Sequence, residues 1–362
     1  MNYDIAIIGY GPVGATAANM FAAKGFSVIV VEPKKEIWDI PRAVHFDGQT
    51  QRIFQSMGIF DQIKKIIDPI TGVNFLNRKG KKLLGISFES HPKVNGYYEG
   101  VMFNQPKFEK IIRDNALNFN NIDFKIGAYV SKLESLNNTN NFEIIDCETN
   151  EASTFTSTYL IGSDGADSFI RKSLNVNLYD YKCDQDWIVV DYLVDKKYKI
   201  LDKSRYQICD YKRPTTLLPI TDNHVRWEFK INPEDDVDKL ETEESIRSFM
   251  SPHMWRLNPD IDLNSGELIR SSKYTFHGLL ADNFKVNNCF LIGDAAHQTP
   301  PFLGQGLCQG IKDAYNLSWK LAGVKEGIYN KKILNSFDTE RREVNEFMIK
   351  TAIKQGLSLI HI

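Results

Sequence analysis

The spacing of hydrophobic and polar positions near the N-terminus predicts two strands joined by a helix. The apolar run IAII is followed by the turn GYGPVG, by the small-residue segment ATAANMFAA and by a second apolar run, VIVV. A strand, a helix and a strand within about thirty residues form a crossover whose strands are parallel neighbours in one sheet. Residues 3–33 therefore predict a βαβ unit.

Similar patterns predict further helices and short strands up to residue 161. Helices are expected at 49–57 and at 106–117, where Pro106 occupies a favourable first-turn position. Strands are expected at 123–126, 129–133, 142–147 and 158–161. The polar tract LNNTNN (136–141) is interpreted as a turn between two of these strands, not as a linker between domains.

Between residues 187 and 231 the pattern changes to short apolar segments separated by turn residues, which predicts a separate antiparallel sheet. These segments are WIVVDYLV, RYQICDY, TTLLPI and VRWEFKI. The acidic stretch at 233–245 is interpreted as a solvated loop that leads into a helix. The segment CFLIGDAAH then returns to a strand and a glycine turn, and two helices follow. The middle sheet is therefore an insertion into an α/β framework.

Composition and charge exclude several classes of protein. The 362 residues are 42% hydrophobic and 25% charged, as in ordinary globular proteins, and the formal net charge is -2. This charge gives no reason to expect a nucleic acid or an acidic membrane surface as a partner. No run reaches the roughly 18 apolar residues that a membrane span requires, and the N-terminus lacks a signal-peptide pattern. We expect a cytoplasmic protein with no membrane span.

Cysteine and histidine spacing argues against a disulfide framework and a metal site. The five cysteines are scattered and form no C-x-x-C pair, and the seven histidines include no H-x-x-H or H-E-x-x-H spacing. The cysteines are expected to be reduced and mostly buried. The chain stops at the apolar segment SLIHI, so the sequence leaves open whether residue 362 is a natural end.

The turn between the first strand and helix carries the pattern G-x-G-x-x-G, formed by Gly9, Gly11 and Gly14. Gly9 permits a tight turn, Gly11 allows a pyrophosphate to approach the backbone, and Gly14 permits close packing of the helix. Glu32, at the end of the next strand, can accept hydrogen bonds from ribose hydroxyls. These features predict a dinucleotide site but leave NAD and FAD as alternatives.

Two further aspartates follow apolar strands and adjoin glycine. Asp164 precedes Gly165 in YLIGSDGADSFIRKSL, and Asp294 follows Gly293 in CFLIGDAAH. A domain that binds only NAD leaves both motifs unexplained. In their order, the three motifs resemble those of the class A flavin-dependent aromatic hydroxylases, and the resemblance implies FAD as the cofactor. The five tryptophans nowhere form the W-x-W-x-I-P pattern of flavin halogenases.

A closer resemblance extends over nearly the whole chain. The segments PRAVHFDGQTQRIFQSMG, NQPKFEKIIRD, YQICDYKRPTTLLP and YTFHGLLADNF are similar to those of 3-(3-hydroxyphenyl)propionate hydroxylases. In that group the chain continues past the point where this sequence ends, typically with a thioredoxin-like C-terminal domain. The resemblance implies the α/β aromatic-hydroxylase fold, which has a discontinuous Rossmann-like FAD-binding domain (1–75, 100–180 and 280–362). A β-rich, antiparallel-sheet substrate domain (76–99 and 181–279) is inserted into it.

The resemblance also implies which residues bind FAD. The ADP half would be held by Gly9, Gly11, Gly14 and Glu32. Asp164 would lie near the pyrophosphate, and Arg42 and Gln105 would contact the ribityl and phosphate region.

The third motif and the residues after it would contact the rest of the cofactor. Gly293 would permit a turn that presents Asp294 to the ribityl hydroxyls, and Pro301 would help to fix an extended segment. The next helix would point its backbone N–H groups at the flavin pyrimidine, and it would begin at Gly304, Gln305 and Gly306.

The resemblance implies a monooxygenase that uses NADH or NADPH and O2. Its reduced flavin would form a C4a-hydroperoxide that hydroxylates a phenolic acid ortho to its hydroxyl, and a 3-(3-hydroxyphenyl)propionate-type substrate is expected. Two alternatives stay open. The first is the same chemistry on another phenol or polyketide, and the second is a non-catalytic flavin-binding redox module. The sequence determines neither the nicotinamide preference nor the oligomeric state, and a homodimer is compatible with it.

Three residues are candidates for the substrate side. His45 could accept a phenolic proton, because an ordinary histidine titrates near neutral pH. Its alternative role is that of a histidine bonded to backbone near the flavin. Tyr211 could contact the ring and Arg213 a propionate carboxylate, and the alternatives are a tyrosine of the sheet and an exposed arginine. His297, three residues after Asp294, is expected to be structural.

Overall fold

The computed structural model describes residues 2–89, 91, 93, 96–136 and 139–361. In these residues the strands, in chain order, are β1 (Asn2–Ile8), β2 (Val28–Glu32), β3 (His45–Asp47), β4 (Ile67–Pro69), β5 (Gly72–Asn77), β6 (Lys82–Ser87), β7 (Gly100–Phe103), β8 (Ile122–Ile126), β9 (Ala128–Leu136), β10 (Thr139–Asp146), β11 (Ala152–Gly162), β12 (Leu178–Asp180), β13 (Gln185–Leu193), β14 (Arg205–Cys209), β15 (Thr215–Pro219), β16 (His224–Lys230), β17 (Glu267–Phe276), β18 (Leu279–Ala281), β19 (Lys285–Val286), β20 (Cys289–Leu291) and β21 (His297–Gln298). The α-helices are α1 (Pro12–Ala23), α2 (Gly48–Ser56), α3 (Phe60–Ile63), α4 (Gln105–Ala116), α5 (Phe169–Ser173), α6 (Val237–Leu240), α7 (Glu243–Met250), α8 (Gly306–Lys325) and α9 (Ser336–His361). Among the described residues, no helix is long and apolar enough to cross a membrane.

The larger sheet has a parallel centre with the order β19-β20-β11-β1-β2-β8. β1 pairs in parallel with β2 and with β11, and β2 pairs in parallel with β8. Every residue of β2 is buried, as is typical of a strand inside a parallel sheet. α1 connects β1 to β2 and packs against both strands, and it also contacts α4 and α8. This arrangement confirms the predicted βαβ unit.

The second sheet has the order β17-β13-β16-β15-β14-β5-β6. Its neighbours are antiparallel with one exception, the parallel pair of β14 and β5. The predicted antiparallel sheet therefore gains a parallel pair, because β5 and β6 come from a separate, earlier part of the chain. β5 (Gly72–Asn77) straddles the boundary expected at residue 76, and the domain boundaries stay a prediction.

The two faces of the second sheet differ in chemistry. In β16, Val225, Trp227 and Phe229 are buried in one apolar cluster with Met250 of α7. The alternate residues of β16 are polar and face the opposite side, where Arg226 contacts the backbone of Pro41 and Arg42. The second sheet therefore offers a polar wall to the rest of the molecule.

Several element boundaries differ from those expected. α2 and α4 each begin and end one residue before the predicted positions. β11 is much longer than the predicted 158–161, because the polar first half of the strand pairs with β10 along one edge. In the tract LNNTNN, Leu136 ends β9 and Thr139 begins β10, and residues 137–138 lie outside the described residues.

The backbone at Pro301 differs from the expected conformation. The sequence predicts that it continues an extended segment, but it begins a 3-10 helix, Pro301–Leu303. The fixed φ of proline suits a first helical turn, where no backbone N–H is needed.

Candidate active site

The glycine turn after β1 lies against the loop that follows β11. Gly9 has a φ of +98°, and a Cβ at this position would overlap the backbone of Ser163. A Cβ at Gly14 would overlap the carbonyl oxygen of Gly9. The hydroxyl of Ser163 donates to the carbonyl oxygens of Ile8 (3.0 Å) and Gly9 (2.9 Å). The two loops are in backbone contact, which requires glycine at positions 9 and 14.

Gly11 faces open space instead. Nothing lies within 4 Å of a Cβ built there, and no side chain of the described residues caps α1, whose N-cap is Gly11. The first-turn N–H groups of α1 are therefore left for an anion. Glu32 accepts hydrogen bonds from the N–H groups of Tyr10 (2.7 Å) and Lys34 (2.9 Å), so its carboxylate fixes the turn. Its remaining lone pairs can accept from ligand hydroxyls.

Asp164 belongs to the neighbouring loop and accepts hydrogen bonds at the start of α5. Its carboxylate accepts from the hydroxyl of Ser168 and from the N–H of Ile170 (3.0 Å) at the start of α5. Burial raises the pKa of Asp164, although these two hydrogen bonds act to lower it. Its backbone lies against the glycine turn, with its Cα 2.8 Å from a Cβ built at Gly9. Asp164 thus shapes the loop beside the predicted pyrophosphate position.

The turn after β20 presents Asp294 to a deep cleft. Gly293 has a φ of +60°, and Val13 lies 3.2 Å from a Cβ built there. Asp294 keeps exposed surface, yet burial raises its pKa above the ordinary value, although His297 and Arg42 act to lower it. A side chain that is accessible to solvent but surrounded by protein lines a cleft and not the outer surface.

A buried network of α8 and α9 fixes this turn. Asp313 accepts a hydrogen bond from the N–H of Gly293 (3.1 Å) and from Nε2 of His297 (2.7 Å). Nε of Arg341, in α9, donates to the other carboxylate oxygen at 2.7 Å. Burial acts to raise the pKa of Asp313, but Arg341 and His297 outweigh it and hold the pKa below its ordinary value. His297 is a member of this network, which agrees with the structural role expected for it.

The start of α8 is a second open helix N-terminus. Gly304 is left-handed, with a φ of +64°, and its carbonyl accepts from Nδ1 of His45 at 3.1 Å. Nothing lies within 4 Å of a Cβ built at Gly306, and no described side chain caps α8. The side chains of Pro301 and Gln305 are partly exposed. The N–H groups of this turn are available to a group that carries negative charge.

Arg42 and Gln105 lie together, and Gln105 is bonded to the backbone beside it. Oε1 of Gln105 accepts from the N–H groups of Arg42 (2.9 Å) and Ala43 (2.7 Å), and Nε2 donates to Glu109 (2.7 Å). Gln105 thus positions the backbone of Arg42, and this geometry does not favour the ligand contact predicted for it. The guanidinium of Arg42 acts against burial to lower the pKa of Asp294, so it lies near that carboxylate.

A buried ion cluster, which we call the clasp, ties the second sheet to the backbone beside the cleft. Asp191 of β13 accepts from Nε of Arg226 (2.9 Å) and pairs with Arg270. The guanidinium of Arg226 also donates to the carbonyl oxygens of Arg42 (2.6 Å) and Pro41. The clasp therefore holds the polar wall of the second sheet against the segment that carries Arg42.

A dinucleotide site requires three features that are present here. They are backbone contact between two glycine loops, two open helix N-termini and an aspartate in a cleft. Residues 2–352 match the family described as FAD binding domain. The chain belongs to this family.

Relatives of this FAD binding domain carry the names of hydroxylases. It is 30% identical over 359 residues to the 3-(3-hydroxy-phenyl)propionate/3-hydroxycinnamic acid hydroxylase of Burkholderia cenocepacia. The alignment covers 99% of this chain and 64% of the relative. It is also 31% identical over 357 residues to the protein of the same name from Escherichia coli. That alignment covers 98% of this chain and 62% of the relative. The chain thus spans less than two thirds of the length of these relatives.

Solved structures confirm the predicted fold. The flavin-dependent monooxygenase PieE, in complex with FAD and substrate, superposes with a TM-score of 0.88 at 22% identity, over 99% of this chain and 64% of that one. Aklavinone-11 hydroxylase, in a ternary complex with FAD and aklavinone, superposes with a TM-score of 0.83 at 20% identity, over 97% of this chain and 68% of that one. At these identities the likeness establishes the shared architecture.

The residues of the cleft fit FAD. The open turn at Gly11 and the N-terminus of α1 would take the pyrophosphate, and Glu32 would take a ribose. Asp294 would bind the ribityl hydroxyls, and the open N-terminus of α8 at Gly306 would lie against the flavin ring. These individual assignments stay predictions. No group of three or more histidine, cysteine, aspartate or glutamate side chains in the described part of the chain could hold a metal ion.

His45 is a poor candidate for a base. Burial and the nearby charge of Arg205 lower the pKa of His45 to about 3, and its Nδ1 is bonded to the carbonyl of Gly304. The ring is therefore neutral near pH 7 and gains a proton only at great cost. This geometry is that of a histidine bonded to backbone, and it does not favour the proton acceptor predicted from the sequence.

The structure does not bring Tyr211 and Arg213 to the cleft. Tyr211 is 71% exposed, and Arg213 pairs with Asp235 at 2.8 Å and lies 4.9 Å from the ring of Phe249 in α7. Both residues line an open depression of about 670 Å³, together with Phe249 and Phe229. Phe229 belongs to the apolar face, so this depression lies on the side of the sheet away from the clasp. The predicted contacts with ring and carboxylate are not favoured at these positions.

Three other residues lie on the polar face of the second sheet and were not expected from the sequence. Burial raises the pKa of Glu228, whose side chain stays partly exposed. Burial and the charge of Asp294 raise the pKa of Tyr274, which places this ring near the third motif. Burial lowers the pKa of Arg205 to about 10. A signal existed, because the segment HVRWEFK of β16 alternates polar and apolar residues.

Proposed function

We propose that this FAD binding domain is part of a monooxygenase that uses NADH or NADPH and O2 to hydroxylate a phenolic acid ortho to its hydroxyl. The proposed substrate is of the 3-(3-hydroxyphenyl)propionate type. The observation that carries the proposal is the cleft in which Asp294 acts on the pKa of Tyr274. The predicted flavin position thereby adjoins a wall that also bears Glu228 and Arg205. The names of the curated relatives support the choice of substrate.

The residues of the chain would bind, orient and shield the reactants. When bound, FAD would pass reducing equivalents from the nicotinamide to O2, so that one oxygen atom of O2 could be inserted into the ring and the other leave as water. The open N-termini of α1 and α8 would stabilise negative charge on the pyrophosphate and on the ring system. The clasp would keep the second sheet closed over the site and exclude water from it.

Glu228 is the group best suited to exchange a proton with a phenol. Burial moves its pKa upward, closer to that of a phenolic hydroxyl, and the described residues give its carboxylate no hydrogen bond. It would accept the hydrogen bond of the phenol and draw the proton away, which makes the ring more electron-rich. The electron-rich position ortho to the oxygen then receives the new hydroxyl.

Nicotinamide oxidation and product analysis test the proposal. Protein loaded with FAD should oxidise NADH or NADPH faster when 3-(3-hydroxyphenyl)propionate is added, and the product should gain one oxygen atom. The matched control is 3-phenylpropionate, which lacks the hydroxyl and should give no product. Full FAD loading without stimulated oxidation by any phenol would favour a non-catalytic flavin-binding redox module. A product from another phenol or polyketide alone would favour that alternative substrate.

A further inference from the structure

Arg205 is a cation that lacks an anionic partner among the described residues. One Nη lies 3.4 Å from Sδ of Met102, and Nε has no hydrogen-bond partner in the described part of the chain. Burial lowers the pKa of Arg205 to about 10, so the side chain is still charged near pH 7. Part of the side chain nevertheless remains accessible to solvent. A charged guanidinium in this position gains stability when an anion reaches it.

Three other arginines near the second sheet are already paired with carboxylates. Arg226 and Arg270 share Asp191, and Arg226 also binds two backbone carbonyls. Arg213 is paired with Asp235 on the opposite face. Each of these three guanidinium groups already has a carboxylate partner.

The position of Arg205 suits one end of an elongated acid. Its strand, β14, is separated from the strand of Glu228 by β15, and the register offsets the two residues by two positions along the strands, so their Cα atoms lie roughly 12 Å apart. Their charges act on each other, but they form no ion pair. Arg205 also acts on the pKa of His45, which is bonded to Gly304 before α8. An aromatic ring fits between a carboxylate at Arg205 and a hydroxyl at Glu228.

We propose that Arg205 binds the carboxylate of the substrate and makes the cleft select phenolic acids over neutral phenols. A neutral ligand would displace water from the guanidinium without giving it an anionic partner. The free-energy cost of that unpaired charge would make the cleft discriminate strongly against neutral ligands. The inference rests on the proposed function. It assigns to Arg205 the role that the sequence suggested for Arg213.

Ligand affinity tests the inference without turnover. FAD-loaded protein is titrated calorimetrically with 3-(3-hydroxyphenyl)propionate and with its uncharged amide. The wild-type protein should prefer the acid, and Arg205→Met should weaken acid binding by about 10- to 100-fold while amide binding changes little. Arg205→Lys should fall between them, because an ammonium keeps the charge but loses the fork. Lys230→Met is the matched control, since Lys230 lies on the same face of β16 as Glu228 and should leave the preference unchanged.

The outcomes separate the inference from the function on which it rests. A preference for the acid that survives in Arg205→Met, or that disappears in Lys230→Met instead, overturns the inference and leaves the proposed function intact. Equal wild-type affinity for acid and amide also overturns it. If FAD-loaded wild-type protein binds neither ligand, the proposed substrate and the inference both fail. If Arg205→Met does not fold, the acid-to-amide ratio of Arg205→Lys decides, and an unchanged ratio overturns the inference.

Discussion

Nε2 of His297 lies 2.7 Å from Oδ2 of Asp313, and both side chains are fully buried. The same carboxylate oxygen accepts the N–H of Gly293, so one acid on α8 fixes the turn that presents Asp294. The acid is itself held by Arg341 of α9. The geometry of the third motif therefore depends on two helices that follow it in sequence.

The first prediction concerns this acid. Asp313→Ala leaves Arg341 buried without its carboxylate, so the free energy of unfolding should fall by about 3–5 kcal/mol. Urea unfolding measures the change, and FAD content should fall with it because the turn at Gly293 loses its acceptor. Arg342→Ala is the control, since its partner Asp338 is 3.5 Å away and partly exposed, and it should cost less than about 1 kcal/mol. Equal losses in the two variants would contradict the assignment.

The second prediction separates two glycines of one motif. Gly14→Ala should prevent folding, because its Cβ would overlap the carbonyl oxygen of Gly9. Gly11→Ala should fold, because nothing lies within 4 Å of the added Cβ, but its methyl group should weaken FAD binding. Far-ultraviolet circular dichroism and bound-flavin absorbance measure the two effects. A folded Gly14→Ala protein would show that the loops are not in the contact described.

The third prediction tests the start of α8. Gly306→Val introduces a side chain into open space, so the protein should fold and lose most of its flavin. Gly304→Val is less informative, because its φ of +64° and the contact with His45 make it strained regardless of any ligand. Absorbance of the purified protein gives the flavin content. A fully flavinated Gly306→Val protein would place the cofactor elsewhere.

The fourth prediction is a pH dependence of stability. The pKa of His45 is lowered from about 6.5 to about 3 in the folded protein, so the unfolded chain binds a proton between these values and the folded protein does not. This contribution to stability is present above about pH 6.5 and is lost as the pH falls. Between pH 7 and pH 4, the free energy of unfolding of His45→Gln should therefore fall by about 3 kcal/mol less than that of the wild-type protein. Denaturant unfolding at both pH values measures it, with the exposed His277→Gln as control. Parallel losses in wild type and His45→Gln would be inconsistent with a neutral, bonded ring.

The fifth prediction concerns the clasp. Burial acts to raise the pKa of Asp191, but the hydrogen bond from His224 and the charge of Arg226 hold it well below the ordinary value. This stabilisation is present above the unfolded pKa, near 4, and is lost as the pH falls below it. Asp191→Asn should cost about 3 kcal/mol at pH 7 and about 1 kcal/mol less at pH 3, because the unfolded chain is then largely protonated while the folded carboxylate is still charged.

Urea unfolding at the two pH values tests the clasp. The control is Asp186→Asn, whose partner Lys273 is exposed and whose loss should cost less than about 1 kcal/mol at either pH. An Asp191→Asn penalty that does not depend on pH would show that the carboxylate charge is not what the clasp uses.

The cofactor side of the cleft could be predicted from the sequence because its motifs are local. A strand, a glycine turn and a helix follow one another along the chain at Gly9 and again at Gly293, so the residue types alone indicate how the backbone runs. Gln105 shows the limit of this reasoning. Its two hydrogen bonds to residues 42 and 43 span more than sixty positions and leave no signal in the local pattern.

The substrate side could not be predicted because it depends on which face each strand presents. Arg205 and Tyr206 are adjacent in sequence but lie on opposite faces of the second sheet, and only pairing with β5 and β15 fixes which is which. Tyr211 and Arg213 lie beyond the end of β14, where alternation gives no information. The face that Arg213 presents could therefore not be predicted from the local pattern.

Arg42 has separate uses for its main chain and its side chain. Its carbonyl is bound by Arg226 and its N–H by Gln105, while its guanidinium lies near enough to Asp294 to act on the pKa of that carboxylate. Because the clasp binds backbone atoms that every amino acid possesses, replacing the Arg42 side chain would leave the contact between the second sheet and this segment intact. Substitutions at position 42 can therefore change the charge beside the predicted cofactor site while the backbone contacts stay in place. During evolution, this position could vary in chemistry at little cost in stability.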